Sequence, residues 1–422
     1  GVVMGARQGP ALPILSTVAP RLREPTVAGA AGVRAPLPQV VYVPPPLESR
    51  PYAEEIREWR EVLERTPLLE LGARADAERR RRVPGERVSY IVDRNINYTN
   101  VCVTDCRFCA FYRRPKDAEA YVLTYEEIGA KIDEAKALGA VQILMQGGHN
   151  PYLSLDWYLE LLRYIKEHHP IHVHGFSASE IDLIARVTKL PVDEVLKQLR
   201  QAGLDSMPGA GAEILVDAVR DVIAPRKIDA SRWIEIHEAA HEAGLHTTAT
   251  MMYGVGETWE DRLEHMLRLK HSQARSLARG RGRYTAFILW SFQPLHTQMQ
   301  SWALATGTGM DYLLGTALAR LVLDNFDNIQ VSYVTQGPKM AQIALRFGAN
   351  DFGSLMLEEN VVSATGIDFI MPEHEMRRII EDAGFTPFRR YQDYTPVAES
   401  DGGCPCCRWR GAPAGAPAPS RP

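Results

Sequence analysis

From residue 52 onward the chain alternates between two patterns of hydrophobic and polar positions. In one, an apolar residue recurs every three or four positions; in the other, a short run is apolar almost throughout. The first pattern predicts amphipathic helix, and the second predicts a strand buried on both faces. Two helical pieces come first, at 52–63 and 69–82. Strand-like runs follow at 88–93, 141–145, 171–175, 204–207, 246–252, 285–292, 329–334 and 355–357. Between and after them lie helical stretches at 124–138, 154–168, 192–202, 230–243, 259–269, 312–324, 337–347 and 373–383. Thr124 and Glu127 form a capping-box pattern at one helix start, and Gly203 and Gly244 stand where helices should stop. Eight such alternations predict an α/β fold, a (β/α)8 barrel of the TIM type spanning 88–390, with an N-terminal helical extension at 51–87.

The ends differ from this pattern. Residues 1–50 are rich in Pro and Ala, with Pro44, Pro45 and Pro46 in a row, and predict a disordered leader. A cleaved targeting peptide is the other reading, although Pro and Arg interrupt its apolar stretch. Residues 391–422 predict a disordered tail.

Composition changes little. Of 422 residues, 45 % are hydrophobic and 24 % charged, as in ordinary soluble enzymes. A net charge of −4 gives no reason to expect nucleic acid or an anionic membrane surface as partner. No apolar run approaches a membrane span. The six cysteines change more, because they fall in two tight groups, Cys102/Cys106/Cys109 and Cys404/Cys406/Cys407. Such grouping is a ligand pattern more than a disulfide framework and predicts a reducing, cytoplasmic setting.

The first group has C-x3-C-x2-C spacing on the loop behind the first barrel strand. Three thiolates can hold three corners of a cubane iron–sulfur cluster, leaving the fourth iron open for a small molecule. A structural zinc site, or an electron-transfer cluster with a distant fourth ligand, is the plainer reading. The second cysteine group lies in a Gly-rich tail and receives no function. Loops behind parallel-barrel strands share one face. That places the cysteines with Gly147 and Gly148, Glu180, Glu213 and Gln293. Phe108 can pack over an adenine ring or fill a gap. The two glycines allow a close ligand approach or a plain turn. His149 is a proton carrier or a loop hydrogen-bonder. Glu180 can accept ribose hydroxyls or cap a helix. The 208–213 loop can offer backbone N–H groups to a ligand, with Glu213 and Glu257 as contacts or helix-start acids. His237-Glu238-Ala239-Ala240-His241 matches a zinc-protease pattern, but it lies on an outer helix and lacks a third ligand, so helix-surface histidines are expected. Arg79–Arg82 is a phosphate patch or a solvated helix end, and 275–283 an exposed Arg-rich loop.

The spacing, with Phe108 before the last cysteine, resembles the radical S-adenosylmethionine superfamily. The likeness extends to the cyclic dehypoxanthinyl futalosine synthases of the futalosine route to menaquinone. It is carried by residues 94–106 (RNINYTNVCVTDC), 146–151 (QGGHNP), 174–181 (HGFSASEI), 204–215 (LDSMPGAGAEIL), 290–294 (WSFQP) and 351–363 (DFGSLMLEENVVS). Aminofutalosine synthase and the deazaflavin-forming synthases share the cluster loop but usually differ in the Val103-Thr104-Asp105 insert and in QGGHNP. The resemblance implies a [4Fe-4S] cluster on Cys102, Cys106 and Cys109, with S-adenosylmethionine held by Phe108, Gly147, Gly148 and Glu180. It places the substrate, dehypoxanthine futalosine, against Pro208, Gly209, Glu213, Trp290 and Gln293. A radical would take hydrogen from the ribose, and the resulting carbon radical would add to the benzoate ring. An electron and a proton would then leave, the proton to His149. An electron donor such as flavodoxin or ferredoxin is implied. Two positions depart from the pattern: Leu289 stands where the family tends to have Pro, and Val255-Gly256 replaces a His-containing turn.

Overall fold

In the computed structural model, residues 35–304, 307–366 and 371–398 are described. The strands are β1 (Arg87–Ile91), β2 (Asp93–Ile96), β3 (Gln142–Met145), β4 (His172–Gly175) and β5 (Ser206–Met207), then β6 (His246–Tyr253), β7 (Tyr284–Ser291), β8 (Asn328–Gln330), β9 (Asp351–Ser354) and β10 (Thr386–Arg389). All pairings are parallel, in the order β10-β1-β9-β8-β7-β6-β5-β4-β3-β2. β1 and β2 are halves of one strand, parted at Val92. Since β1 pairs with β9 and β2 with β3, the two ends of the ladder meet and the sheet curls into a barrel. β10 borders β1 on the side that β3 takes beside β2, because the even-numbered carbonyls of Tyr90 and Val92 bond Arg390 and Val141 respectively. Behind β9 the chain continues along β2, where Leu357 N–H donates to Asp93 O and Asn95 N–H to Glu358 O.

Helices clothe the barrel. The predicted box on α3 (Tyr125–Ala137) forms, with Thr124 and Glu127 capping each other's N–H groups. The extension is α1 (Ala53–Arg65) and α2 (Leu68–Arg82). The arginine run on α2 pairs internally: Arg79 with Asp76 and Glu86, Arg81 and Arg82 with Glu78. It is a salt-bridged helix end. Among the described residues no helix is long and apolar enough to cross a membrane.

Several boundaries differ from the sequence pattern. The leader was expected to run to residue 50, yet residues 35–50 lie against the barrel. Leu37 N–H donates to Gln298 O at 3.0 Å, and Arg50 is buried between Asp261 (2.8 Å) and Glu264 (3.0 Å). Proline holds this segment extended before it docks, so a few anchors suffice. At the other end, residues 391–398 fold back on the barrel, with Gln392 buried and Val397 N–H bonded to Arg389 O. Cys404, Cys406 and Cys407 lie outside the described residues. The run at 329–334 is strand only to Gln330 and then turns into the short α11 (Tyr333–Gln336). α9 (Trp259–Arg279) continues ten residues beyond its expected end. Arg275 and Arg279 are therefore helical and pair with Glu238.

The histidines of the H-E-x-x-H run are buried, not on the surface. They face inward on α8 (Ala230–Glu242): His237 stacks on Trp233 at 3.7 Å, and His241 bonds Ser276 and Thr247. Burial lowers His241, and likewise His265 on α9, from 6.5 to about 3. The unfolded chain therefore takes up these protons first, so stability is intact above about pH 6.5 and falls as pH drops toward 3. Each histidine should cost about 2 kcal/mol by pH 5. Thermal midpoints at pH 7.5, 6 and 5 should fall steadily, and His241→Gln should flatten the slope; a flat wild-type profile would contradict this.

Candidate active site

β2 ends at Ile96, and the chain rises from the barrel mouth through Asn97–Asn100 into the cysteine loop. The loop is pinned at both ends: Cys102 N–H donates to Arg113 O (2.9 Å) and Arg113 N–H to Asn100 O (2.8 Å). Between the first two cysteines Asp105 adopts φ +57°, which turns the chain sharply. Its carboxylate accepts from the Tyr112 hydroxyl and pairs with Arg114 (3.1 Å) and Arg226 (3.6 Å). Cys102, Cys106 and Cys109 are all free and line one cavity of about 400 Å³ at the C-terminal ends of the strands. Burial pushes the Cys106 and Cys109 thiols up, so a nearby positive charge is needed for them to ionise.

The Gly147-Gly148 loop is stitched to this cysteine loop. Gly148 N–H donates to Thr99 O (2.9 Å), and Val103 N–H to His149 O (3.1 Å). A Cβ on Gly148 would sit 2.2 Å from Val101 O, and one on Gly147 would sit 2.4 Å from the Tyr98 ring. His149 Nδ1 meets the Thr104 hydroxyl. Burial, with Lys227 and Arg186 as positive neighbours, lowers the imidazole to about 3, so the ring is neutral.

Glu180 sits at the start of α5 (Ala178–Thr188), where it forms a capping box with Ser177. Oε2 accepts the Ser177 N–H (2.7 Å), while Oε1 accepts the Tyr98 hydroxyl (2.6 Å) and the Gly147 N–H (3.0 Å). The helix-cap reading is thus the one its geometry fills, and through Gly147 it also braces the glycine loop. Burial raises its carboxyl above the ordinary value, and the bonds it accepts work against that rise.

Opposite stand Pro208, Gly209 and Glu213, with Trp290 on β7, all in the cavity wall. Gly209 has no room for a side chain: a Cβ would lie 2.5 Å from Ala249 Cα. Glu213, at φ +42°, forms a buried ion pair with Lys227, whose ammonium stands 5.4 Å from the Phe108 ring centroid. Lys227 was not anticipated. It lies on an unpatterned loop 14 positions from its partner, and only folding joins the two. Gln293 does not reach the cavity; its amide donates to Ser291 O (3.1 Å) and Ser291 Oγ (2.9 Å). The loop carrying Val255-Gly256 is also elsewhere, with Glu257 bonding the Gly254 and Val255 N–H groups and pairing with Arg262.

Three free thiols on one loop at the cavity suit a cubane cluster, whose ligands each serve a separate iron. Comparison with known proteins agrees. The radical SAM superfamily profile matches residues 96–269, and the CofH/MqnC C-terminal region matches 281–401. A cyclic dehypoxanthine futalosine synthase of Halalkalibacterium halodurans is 43 % identical over 334 residues, 79 % of this chain and 88 % of that protein. The chain belongs to the radical SAM superfamily. A second synthase of that name, from Streptomyces coelicolor, is 42 % identical, covering 79 % of this chain and 83 % of its own. A 5-amino-6-(D-ribitylamino)uracil–L-tyrosine 4-hydroxyphenyl transferase of Archaeoglobus fulgidus is 41 % identical, covering 74 % and 90 %. Among solved structures, methylornithine synthase aligns with a TM-score of 0.61 at 18 % identity, over 79 % of this chain and 93 % of that one. It supports the fold alone. As radical SAM enzymes do, this one uses a [4Fe-4S] cluster and S-adenosylmethionine.

Proposed function

We propose that this radical SAM enzyme converts dehypoxanthine futalosine to cyclic dehypoxanthinyl futalosine in cytoplasmic menaquinone biosynthesis. The observation that carries the reading is the contact between Thr104 and His149. The cysteine-loop insert and the QGGHNP loop are the two segments in which sister synthases usually differ, and here they are bonded into one unit. The two synthases with this activity in their names match along most of the chain.

Cys102, Cys106 and Cys109 would hold the cluster, and Gly147, Gly148 and Phe108 would border S-adenosylmethionine. When bound and reduced, this pair supplies a 5′-deoxyadenosyl radical that takes a hydrogen atom from the substrate ribose. The protein's part is to orient the substrate between Pro208, Gly209, Glu213 and Trp290 and to exclude water. His149, held by Thr104 at Nδ1, would accept the departing proton, a role that burial works against by disfavouring the charged ring. Ring closure removes two hydrogens from the substrate, one as an atom taken by the deoxyadenosyl radical and one as a proton with an electron, and that electron would return to the cluster left oxidised by S-adenosylmethionine cleavage. A small electron carrier such as flavodoxin or ferredoxin would supply the reducing equivalent.

The test is anaerobic turnover with reductant and S-adenosylmethionine. With dehypoxanthine futalosine, 5′-deoxyadenosine should form together with a product two hydrogens lighter. With tyrosine and 5-amino-6-(D-ribitylamino)uracil no adduct should form; an adduct there would assign the transferase activity instead. His149→Gln should lower product formation about tenfold or more while deoxyadenosine release continues.

A further inference from the structure

Barrel interiors are usually filled with branched apolar side chains. Below the cysteine loop one wall of this interior carries a row of polar side chains among apolar ones. Alternate positions of the first strand line the cavity as Asp93, Asn95 and Asn97, and those of β3 as Gln142 and Leu144, with Gln146 just past its end. Two of these amides are committed to carboxylates. Gln142 Nε2 donates to Asp93 Oδ2 at 2.7 Å, and the Asn95 amide bonds Glu359. With Asp93 and Glu359 accepting, each amide turns its NH2 toward the carboxyl and its carbonyl away; burial raises both carboxyls above their ordinary values, and the hydrogen bonds they accept work against that rise. Glu359 is itself fixed by the N–H groups of Val361 (3.0 Å), Val362 (2.6 Å) and Ser363 (3.0 Å), and Asp93 by the Ser354 hydroxyl. Flipping either amide would set acceptor against acceptor. The consequence is two carbonyl oxygens, Asn95 Oδ1 and Gln142 Oε1, buried in neighbouring strands with no donor. Buried acceptors without donors are costly, so a partner absent from the protein itself is expected. That partner must donate hydrogen bonds.

We propose that Asn95 Oδ1 and Gln142 Oε1 accept hydrogen bonds from the hydroxyl groups of a sugar-bearing substrate laid along the β2–β3 wall. This rests on the cyclase reading, since the substrate it names carries a ribose whose carbon-bound hydrogen must be held toward the barrel mouth. The two amides are then specificity residues. They recognise hydroxyl donors and turn away a sugar lacking them, because one carbonyl would again be left unpaired.

Calorimetric titration of the anaerobically reconstituted full chain, with S-adenosylmethionine but no reductant, tests this without turnover. The probes are dehypoxanthine futalosine and its singly deoxygenated ribose analogues. At least one analogue should bind wild type about tenfold more weakly than the parent, a comparison that needs no variant. Asn95→Leu and Gln142→Met, each checked for an unaltered thermal transition, should weaken the parent about tenfold and leave that analogue unchanged. Equal affinity for parent and all analogues, or equal losses for both in the variants, would overturn the subsite while leaving the cyclase reading standing. No binding of the parent to wild type would overturn both.

Discussion

Cys106→Ala yields a folded chain that retains no [4Fe-4S] signature after reconstitution and releases no 5′-deoxyadenosine. Three thiolates are the fewest that can hold a cubane while leaving one iron open, and two cannot hold it against solvent. Cys106 is the most buried of the three, and its loop is tied through Arg107 N–H to Ile223 O (2.9 Å), so no other described cysteine can replace it. Losing a ligand should exceed the roughly 10- to 100-fold losses typical of outer-shell changes around a metal. Removing one small buried thiol costs the fold little by comparison. Iron and sulfide content, the visible absorption of the reconstituted protein and deoxyadenosine release check this together. Retained iron with normal release would show that the cluster sits elsewhere.

Gly148→Ala should nearly match that loss without removing any ligand. The added methyl would meet Val101 O at 2.2 Å and Cys102 Cβ at 3.0 Å. The first is backbone and the second belongs to a proposed cluster ligand, so neither can swing aside. Gly148 N–H must also keep its bond to Thr99 O, which leaves the two loops only the option of parting. A shift near 1 Å at a reacting centre costs about 100-fold in rate, and that is the expected loss in turnover. Gly280→Ala is the control. Its Cβ meets nothing within 4 Å, although φ +70° at this helix end strains any side chain. It should lower stability by about 1 kcal/mol and leave turnover unchanged. Equal activity in both variants would contradict the close fit of the loops.

Much of this architecture is legible in the chain. The strand runs are apolar because barrel strands are covered on both faces, and the loops behind them converge wherever a parallel barrel closes. That logic correctly puts Cys102, Gly148, Glu180 and Glu213 around one cavity. It misjudges Gln293, because the direction of a side chain two residues past a strand depends on local turns that periodicity does not encode. β9 was expected at 355–357 but lies at Asp351–Ser354, since a buried Asp351 needs Arg390, 39 positions later, before its strand makes sense. Lys227 and its pairing with Glu213 are hidden for the same reason. Pairings of charge across the barrel leave no local trace. His237 and His241, expected on a helix surface, instead fill the space behind α8.

The most direct test of the central claim is isotopic. Dehypoxanthine futalosine deuterated at the carbon-bound positions of its ribose is turned over anaerobically, and the 5′-deoxyadenosine and product are weighed by mass spectrometry. The structure and the family predict deoxyadenosine one mass unit heavier, formed together with a cyclised product lacking one deuterium and one ring proton. Unlabelled deoxyadenosine beside unchanged substrate would contradict it.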